Sequence, residues 1–291
     1  MPQRDVKKLL LSKPVRWLLV AALVTSAARG GDPLPASPKS EHADKPAPAT
    51  QGEKPDRTAG SLAWQSPAAP KPAPANRNQL AAAFNKTTPA SLADLKSIEQ
   101  RVKELVRRVS PAVVDVEIGT GTGSGVIVSP DGLVLTAGHV CGDPGRKVRM
   151  TFSDGRKARG ETLRASQDRD CGLLRITERG PWPYVPMGDL EQARAGDWVL
   201  ALGHPGGFDP KRSLVVRLGR IIQLEEGNLQ TDCTITQGDS GGPLIDMFGR
   251  VIGIHSYISL SLTANFHVAI TEFYQNWDEM VKKFATRPSN D

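Results

Sequence analysis

From Pro111 onward the chain reads as eleven short apolar runs with no helical pattern between them, and nothing else in it constrains the fold as much. The runs fall at 113–118, 125–128, 133–137, 148–152, 172–176, 198–202, 215–224, 229–235, 243–245, 251–254 and 266–270. Pro130-Asp-Gly132 and Ser153-Asp-Gly155 mark tight turns, the first leading straight into another apolar run. Parallel pairing needs helical crossovers, and none intervene, so the strands are expected to pair antiparallel and close into a barrel or sandwich. The expected class is mainly β.

A helix is expected on each side of this region. Leu92, Leu95, Ile98, Val102, Leu105, Val106 and Val109 form one apolar stripe opposite Lys, Glu and Arg, with Ser91 placed to cap it and Pro111 to end it. The amphipathic helix is therefore expected over 91–109, packed on the β domain that spans 110–285. A second helix-like segment, 272–284, falls near the end of that domain.

Residues 29–90 are of another kind. Eleven of the 23 prolines lie between Pro33 and Pro89, among Ala, Ser, Lys and Thr with few large apolar side chains. Such a stretch buries too little surface to offset its chain entropy and is expected to be a disordered linker. Before it, residues 1–28 place Arg4, Lys7, Lys8, Lys13 and Arg16 ahead of an apolar run from Trp17 that ends in small residues. That is the pattern of an export signal, cleaved near Ala27 or Ala28 or kept as an anchor, and it is the one segment expected to touch membrane.

The formal charge of +6 does not imply a nucleic-acid partner. From Ser91 to Asp291 there are 24 basic and 25 acidic residues, so the folded part is close to neutral. Cys141, Cys171 and Cys233 are far apart, with no metal-ligand spacing; they allow one disulfide with a free thiol, or burial as small apolar residues. No metal and no cofactor is expected.

Three segments carry chemistry. Leu133-Val-Leu-Thr-Ala-Gly-His-Val140 delivers a His at the end of a buried strand, and Asp168-Arg-Asp-Cys171 places acids at the mouth of another. Gln237-Gly-Asp-Ser-Gly-Gly-Pro-Leu244 holds a Ser in a glycine-rich turn. A serine hydroxyl becomes a useful nucleophile only when an imidazole takes its proton, and the imidazole needs an acid on its other nitrogen. The oxyanion that follows needs fixed N–H donors, which a tight glycine turn can supply.

Thr136-Ala-Gly-His139, Asp170 and Gly238-Asp-Ser-Gly-Gly242, in that order, resemble the trypsin-like serine peptidases. Gly123-Ser-Gly-Val-Ile127, Ser153-Asp-Gly-Arg-Lys157, Leu229-Gln-Thr-Asp232 and Asn265-Phe-His-Val-Ala-Ile270 resemble, more narrowly, the bacterial HtrA/Deg proteases. The resemblance covers about Ser110 to Ile270 and implies a trypsin-like double antiparallel β-barrel with flanking N- and C-terminal helices. It implies His139 as general base, Asp170 as its orienting acid and Ser240 as nucleophile, with the N–H groups of Gly238 and Ser240 as oxyanion hole. Asp168 is the rival for the acid. Polypeptide substrates, a periplasmic or envelope location and a part in protein quality control follow from the same resemblance. The oligomeric state stays open, a trimer among the options. The alternative is a catalytically idle fold kept as a chaperone or binding module.

The chain departs from the family at Asp239, where HtrA/Deg proteases usually have Asn. Digestive trypsin-like enzymes have Asp there and neutralise it with a new N-terminus made by zymogen cleavage; no equivalent is evident in this sequence. The PDZ domain that HtrA proteins commonly carry is not expected after Ile270. Thr234, His255 and His267 are the candidates for the substrate-binding S1 wall. Gly253-Ile-His255 resembles glutamyl endopeptidases, whose His contacts an acidic P1 side chain, while a structural His–His contact beside a pocket for small aliphatic residues is the competing reading.

Overall fold

The computed structural model describes residues 67–212, 214–258 and 264–282. The expected export signal, and the part of the expected linker before Pro67, lie outside these residues. Twelve strands form two closed antiparallel barrels of six. The first runs β1-β2-β3-β6-β5-β4, from β1 (Val113–Ile118), β2 (Gly121–Ile127), β3 (Leu133–Ala137), β4 (Lys147–Phe152), β5 (Lys157–Ser166) and β6 (Cys171–Ile176). The second runs β10-β11-β12-β9-β8-β7, from β7 (Trp198–Gly203), β8 (Val215–Glu225), β9 (Asn228–Thr231), β10 (Pro243–Asp246), β11 (Val251–Ile258) and β12 (Asn265–Ala269).

The strand absent from the sequence reading is β5. Its inward positions are Ala158, Gly160 and Thr162, so the alternation is present while the apolar signal is not. Gly160 is required there, since a Cβ would lie 2.4 Å from the Arg175 carbonyl oxygen. Elsewhere alternation and burial agree. Val114, Val116, Val126, Leu135, Met150 and Leu173 are fully buried around the first barrel, and Val199, Ala201, Leu229 and Leu244 in the second. Each large aliphatic side chain so buried contributes roughly 1.5–3 kcal/mol.

The helix α1 (Leu92–Val109) starts where expected, with the Ser91 hydroxyl accepting from the Asp94 N–H at 3.1 Å. Its apolar stripe is used only in part: Ile98, Leu105 and Val109 are buried, but Leu92 and Leu95 are 67% and 53% exposed. Docking is through the later turns, where Arg101 donates to the Met247 carbonyl and Arg108 to the Phe248 carbonyl in the β10–β11 turn. The expected helix over 272–284 is two short ones, α3 (Ile270–Gln275) and α4 (Trp277–Val281), separated by Asn276, whose N–H and side-chain amide both donate to the Glu272 carbonyl.

Residues 67–90 correct the expectation of disorder across 29–90. They run along the domain as a strap held by directional contacts that composition does not reveal. Ala73 N–H donates to the Met187 carbonyl, Arg77 pairs with Asp197, and Trp277 donates its indole N–H to the Pro67 carbonyl. Of two single-turn helices, at Arg77–Gln79 and Ala82–Asn85, the second brings Ala83 and Phe84 into the core. One aromatic and a few fixed hydrogen bonds suffice to order a proline-rich segment when a ready-made surface lies beneath it.

Candidate active site

Pairing of β3 with β6 sets Ala137 opposite Cys171. The residues just beyond that pair, Gly138 and Asp170, are therefore neighbours, and the Gly138 N–H donates to the Asp170 carbonyl at 2.8 Å. In α2 (Gly138–Cys141), the one-turn helix after β3, His139 meets Asp170, the residue before β6. The carboxylate of Asp170 accepts from the His139 N–H at 2.9 Å and lies 2.9 and 3.1 Å from Nδ1 of its ring. An ionised carboxylate only accepts, so Nδ1 carries the proton and Nε2 of the neutral ring is left as the base. Asp170 holds φ at +51°, in the left-handed region that Asp tolerates better than most side chains. Burial raises its pKa, but the His139 ring, the Ser256 hydroxyl and the His139 N–H outweigh this and leave it below the usual carboxylate value. Asp168 is exposed and makes no side-chain hydrogen bond or ion pair among the described residues.

Ser240 comes from the second barrel, in the loop ahead of β10. The β10–β11 ladder extends into this loop: Gly241 N–H donates to the His255 carbonyl and His255 N–H to the Gly242 carbonyl, both at 2.8 Å. Gly241 sits at φ +88°, and a Cβ there would lie 2.1 Å from the Ser124 carbonyl oxygen and 3.1 Å from the Ala137 nitrogen. The loop that carries Ser240 is thus nested against the strand end that presents His139. Ser240 Oγ donates to the Ser256 carbonyl at 3.4 Å; among the described residues it has no hydrogen bond to His139. The structure brings His139 and Asp170 together and sets Ser240 alongside, with its hydroxyl turned to Ser256.

The backbone N–H groups of Gly238 and Ser240 donate to no other described residue. Gly238, at φ +92°, is the third residue of a turn closed by Asp239 N–H on the Thr236 carbonyl at 3.0 Å. Gly206 N–H donates to the Gln237 carbonyl at 2.9 Å, so the trans peptide aims the Gly238 N–H the opposite way.

Two serines that the sequence reading left without roles shape the site. Ser124 of β2 is fully buried; its N–H donates to the Ser240 carbonyl and its hydroxyl to the Gly238 carbonyl, each at 2.8 Å, while its Oγ accepts from His204 N–H at 2.9 Å. Ser256 donates its hydroxyl to Asp170 and accepts from Ser240 on its carbonyl. It is the extra residue of a bulge in β11, since His255 pairs with His267 and Tyr257 with Phe266. A bulge breaks the in–out alternation and re-aims a side chain, here toward the other barrel. Neither serine lies in a motif whose spacing reports such a contact.

The candidates for the S1 wall are placed differently. Thr234 is exposed, and His255 and His267 are fully buried, their Nδ1 atoms 2.9 Å apart, with His267 Nε2 2.7 Å from the Thr231 hydroxyl. Burial pushes His267 down to about 3 and, with His267 and Arg217 nearby, His255 well below its ordinary value, so both rings are neutral at physiological pH. The cavity next to Ser240, about 290 Å³, is lined by Ile235, Thr236, Gln237, Ser240, Ser256 and Tyr257. The three cysteines are free and buried, and burial raises every thiol pKa, Cys141 to about 12 and Cys233 to about 11.

Residues 123–254 match the family described as "Trypsin-like peptidase domain". A "Probable periplasmic serine endoprotease DegP-like" of Rickettsia prowazekii is 33% identical over 151 residues, 49% of this chain and 29% of the relative. Its counterpart in Pseudomonas putida is 38% identical over 140 residues, 47% and 29% of the two chains. "Serine protease HTRA1" of Xenopus laevis is 30% identical over 208 residues, 65% and 43%. The chain thus spans less than half the length of each of these relatives. The crystal structure of the serine endoprotease from Yersinia pestis superposes with a TM-score of 0.55 at 28% identity, covering 62% of this chain and 66% of that one. An "HtrA-type protease AlgW with tripeptide" gives the same TM-score at 27% identity, covering 62% and 63%. Residues 123–254 therefore resemble a trypsin-like peptidase domain, and the proteins they are similar to are named DegP-like and HtrA serine endoproteases.

Proposed function

We propose that this protein is an exported serine endopeptidase that cleaves unfolded or exposed polypeptide through an acyl-enzyme. The observation that carries the reading is the bond from His139 to Asp170 beside a loop that presents Ser240 with two free N–H donors. Ser240 Oγ gives its proton to His139 Nε2 as it bonds to the substrate carbonyl carbon, and the new oxyanion takes the N–H groups of Gly238 and Ser240. The imidazolium then protonates the departing amine as the C–N bond breaks, and water repeats the sequence on the ester. Asp170 keeps the ring in the required tautomer throughout. To begin, the Ser240 side chain leaves a 3.4 Å bond, which is long and weak, and turns to the ring.

Among the described residues no charged side chain lines the cavity beside Ser240, and Ile235 and Tyr257 give it apolar walls. It suits a small uncharged P1 residue. An acidic P1 residue has no cationic partner there, since His255 and His267 are buried and neutral. The pattern of residues 1–28 and the names of the periplasmic relatives support export and a part in envelope protein quality control.

The test uses purified wild type and Ser240→Ala with an unfolded substrate such as casein, the fragments sequenced, alongside a labelled fluorophosphonate probe. Wild type is expected to label at Ser240 and to cut after small uncharged residues, and Ser240→Ala to do neither. Absence of both labelling and cleavage in wild type rejects the peptidase in favour of a binding module.

A further inference from the structure

Asp239 immediately precedes Ser240, and its carboxylate is fully buried against Gly203 of β7, where a Cβ would lie 2.5 Å from Oδ1. A buried carboxylate is strongly disfavoured unless a cation and hydrogen bonds compensate it. Residues 236–242 contain no cation, so compensation comes from another element. Arg217, the third residue of β8, supplies it with both prongs of its guanidinium: Nη2 lies 2.9 Å from Oδ2 and Nη1 3.2 Å from Oδ1. Thr236 adds its N–H at 2.8 Å and its hydroxyl at 3.2 Å, both on Oδ2. The carboxylate so held closes the turn from Thr236 to Asp239, in which Gly238 sits.

We propose that Arg217 is a positioning residue that neutralises Asp239 from within the folded chain and so holds Gly238 and Ser240 ready for substrate, with no proteolytic activation step. This rests on the peptidase reading above. Where trypsin-like enzymes pair an Asp at this place with a new N-terminus, the cation exists only after cleavage and is lost as the amine deprotonates near pH 8. A guanidinium on β8 is present from folding onward and keeps its charge at any pH the fold survives. Among the described residues, the charge of Asp239 acts on His204, and that of Arg217 acts on His255 and Cys233. Burial keeps the two imidazoles neutral and pushes the thiol up to about 11, so none changes charge appreciably between pH 8 and 10.

The experiment takes the uncut chain and compares wild type, Arg217→Met, Arg217→Met with Asp239→Asn, and Arg217→Lys, by kcat and KM on a peptide substrate and by fluorophosphonate labelling. Arg217→Met is expected to lower kcat about 100-fold, with KM within about threefold. The double variant recovers to within about tenfold of wild type, because a neutral Asn still accepts from Thr236 without an uncompensated charge. Arg217→Lys gains a loss of kcat between pH 8 and 10 that wild type lacks, since a partly buried ammonium titrates there. The proposal is overturned by Arg217→Met within about twofold of wild type, or by a double variant as impaired as the single one. It is equally overturned by a wild type that is inert until its N-terminal part is cut. If Arg217→Met does not fold, the lysine variant decides, a flat alkaline profile overturning the proposal. Wild type that neither labels nor cleaves, cut or uncut, rejects the peptidase itself, whereas normal wild-type activity with no effect at Arg217 rejects this role alone.

Discussion

Ser256 and Asp170 belong to different barrels, and the hydroxyl of the first donates to the carboxylate of the second. The carboxylate bonded to His139 is thereby held from the side that supplies Ser240. Replacing Ser256 with Ala leaves the two His139 contacts and removes the third. A hydrogen bond to a charged group contributes roughly 1.5–3 kcal/mol. With two contacts remaining, kcat is expected to fall about tenfold and KM to change little, and steady-state kinetics on one peptide measures both. An unchanged kcat would remove Ser256 from the site.

Asp170→Asn presents an amide that can donate to the ring and so favours the wrong tautomer. A loss of about 10⁴-fold in kcat is expected. Asp168→Asn is the internal control, because its carboxylate is exposed and makes no side-chain contact among the described residues. It should stay within about twofold of wild type. Equal losses at the two positions would refute the assignment of the acid.

Asp115 of β1 gives a pH signature. Burial pushes its carboxyl up to about 6, against the Thr122 hydroxyl that donates to it at 2.9 Å. The folded state therefore holds a proton that the unfolded chain releases near pH 4. Such a raised acid costs nothing below pH 4, and stability falls as pH rises from there through 6. Asp115→Asn keeps an acceptor for Thr122 and is expected to be more stable at pH 8 by up to about 3 kcal/mol, the difference vanishing near pH 4. Thermal unfolding of both proteins at the two pH values measures it. A variant less stable at pH 8 contradicts the inference.

The strap is open to a stability test as well. Phe84 is buried in the core although it lies in the proline-rich segment. Phe84→Ala is expected to destabilise the domain by about 3–5 kcal/mol, read from the urea midpoint. A shift corresponding to less than about 0.5 kcal/mol would mean that residues 67–90 do not pack as described.

The sequence alone determined the class of fold and singled out the three segments proposed to carry chemistry, because period-2 alternation, turn residues and a glycine-bounded Ser are local patterns. The strand signal failed where alternation was carried by small or polar residues, as at Ala158, Gly160 and Thr162 of β5. The packing face of a helix was legible only approximately, since Leu92 and Leu95 continue the stripe yet stay exposed. Contacts between distant segments were decided by tertiary structure. Asp170 meets His139, and Asp168 does not, because β3 and β6 pair in the register that sets Ala137 opposite Cys171. Ser256 reaches Asp170 because one residue is bulged from β11, and His255 faces the interior of its own barrel. Arg217 finds Asp239 because β8 runs beside β7, where Gly203 leaves room for the carboxylate. Register, bulges and close approach are set by the summed packing of the whole chain. No window of a few residues contains them.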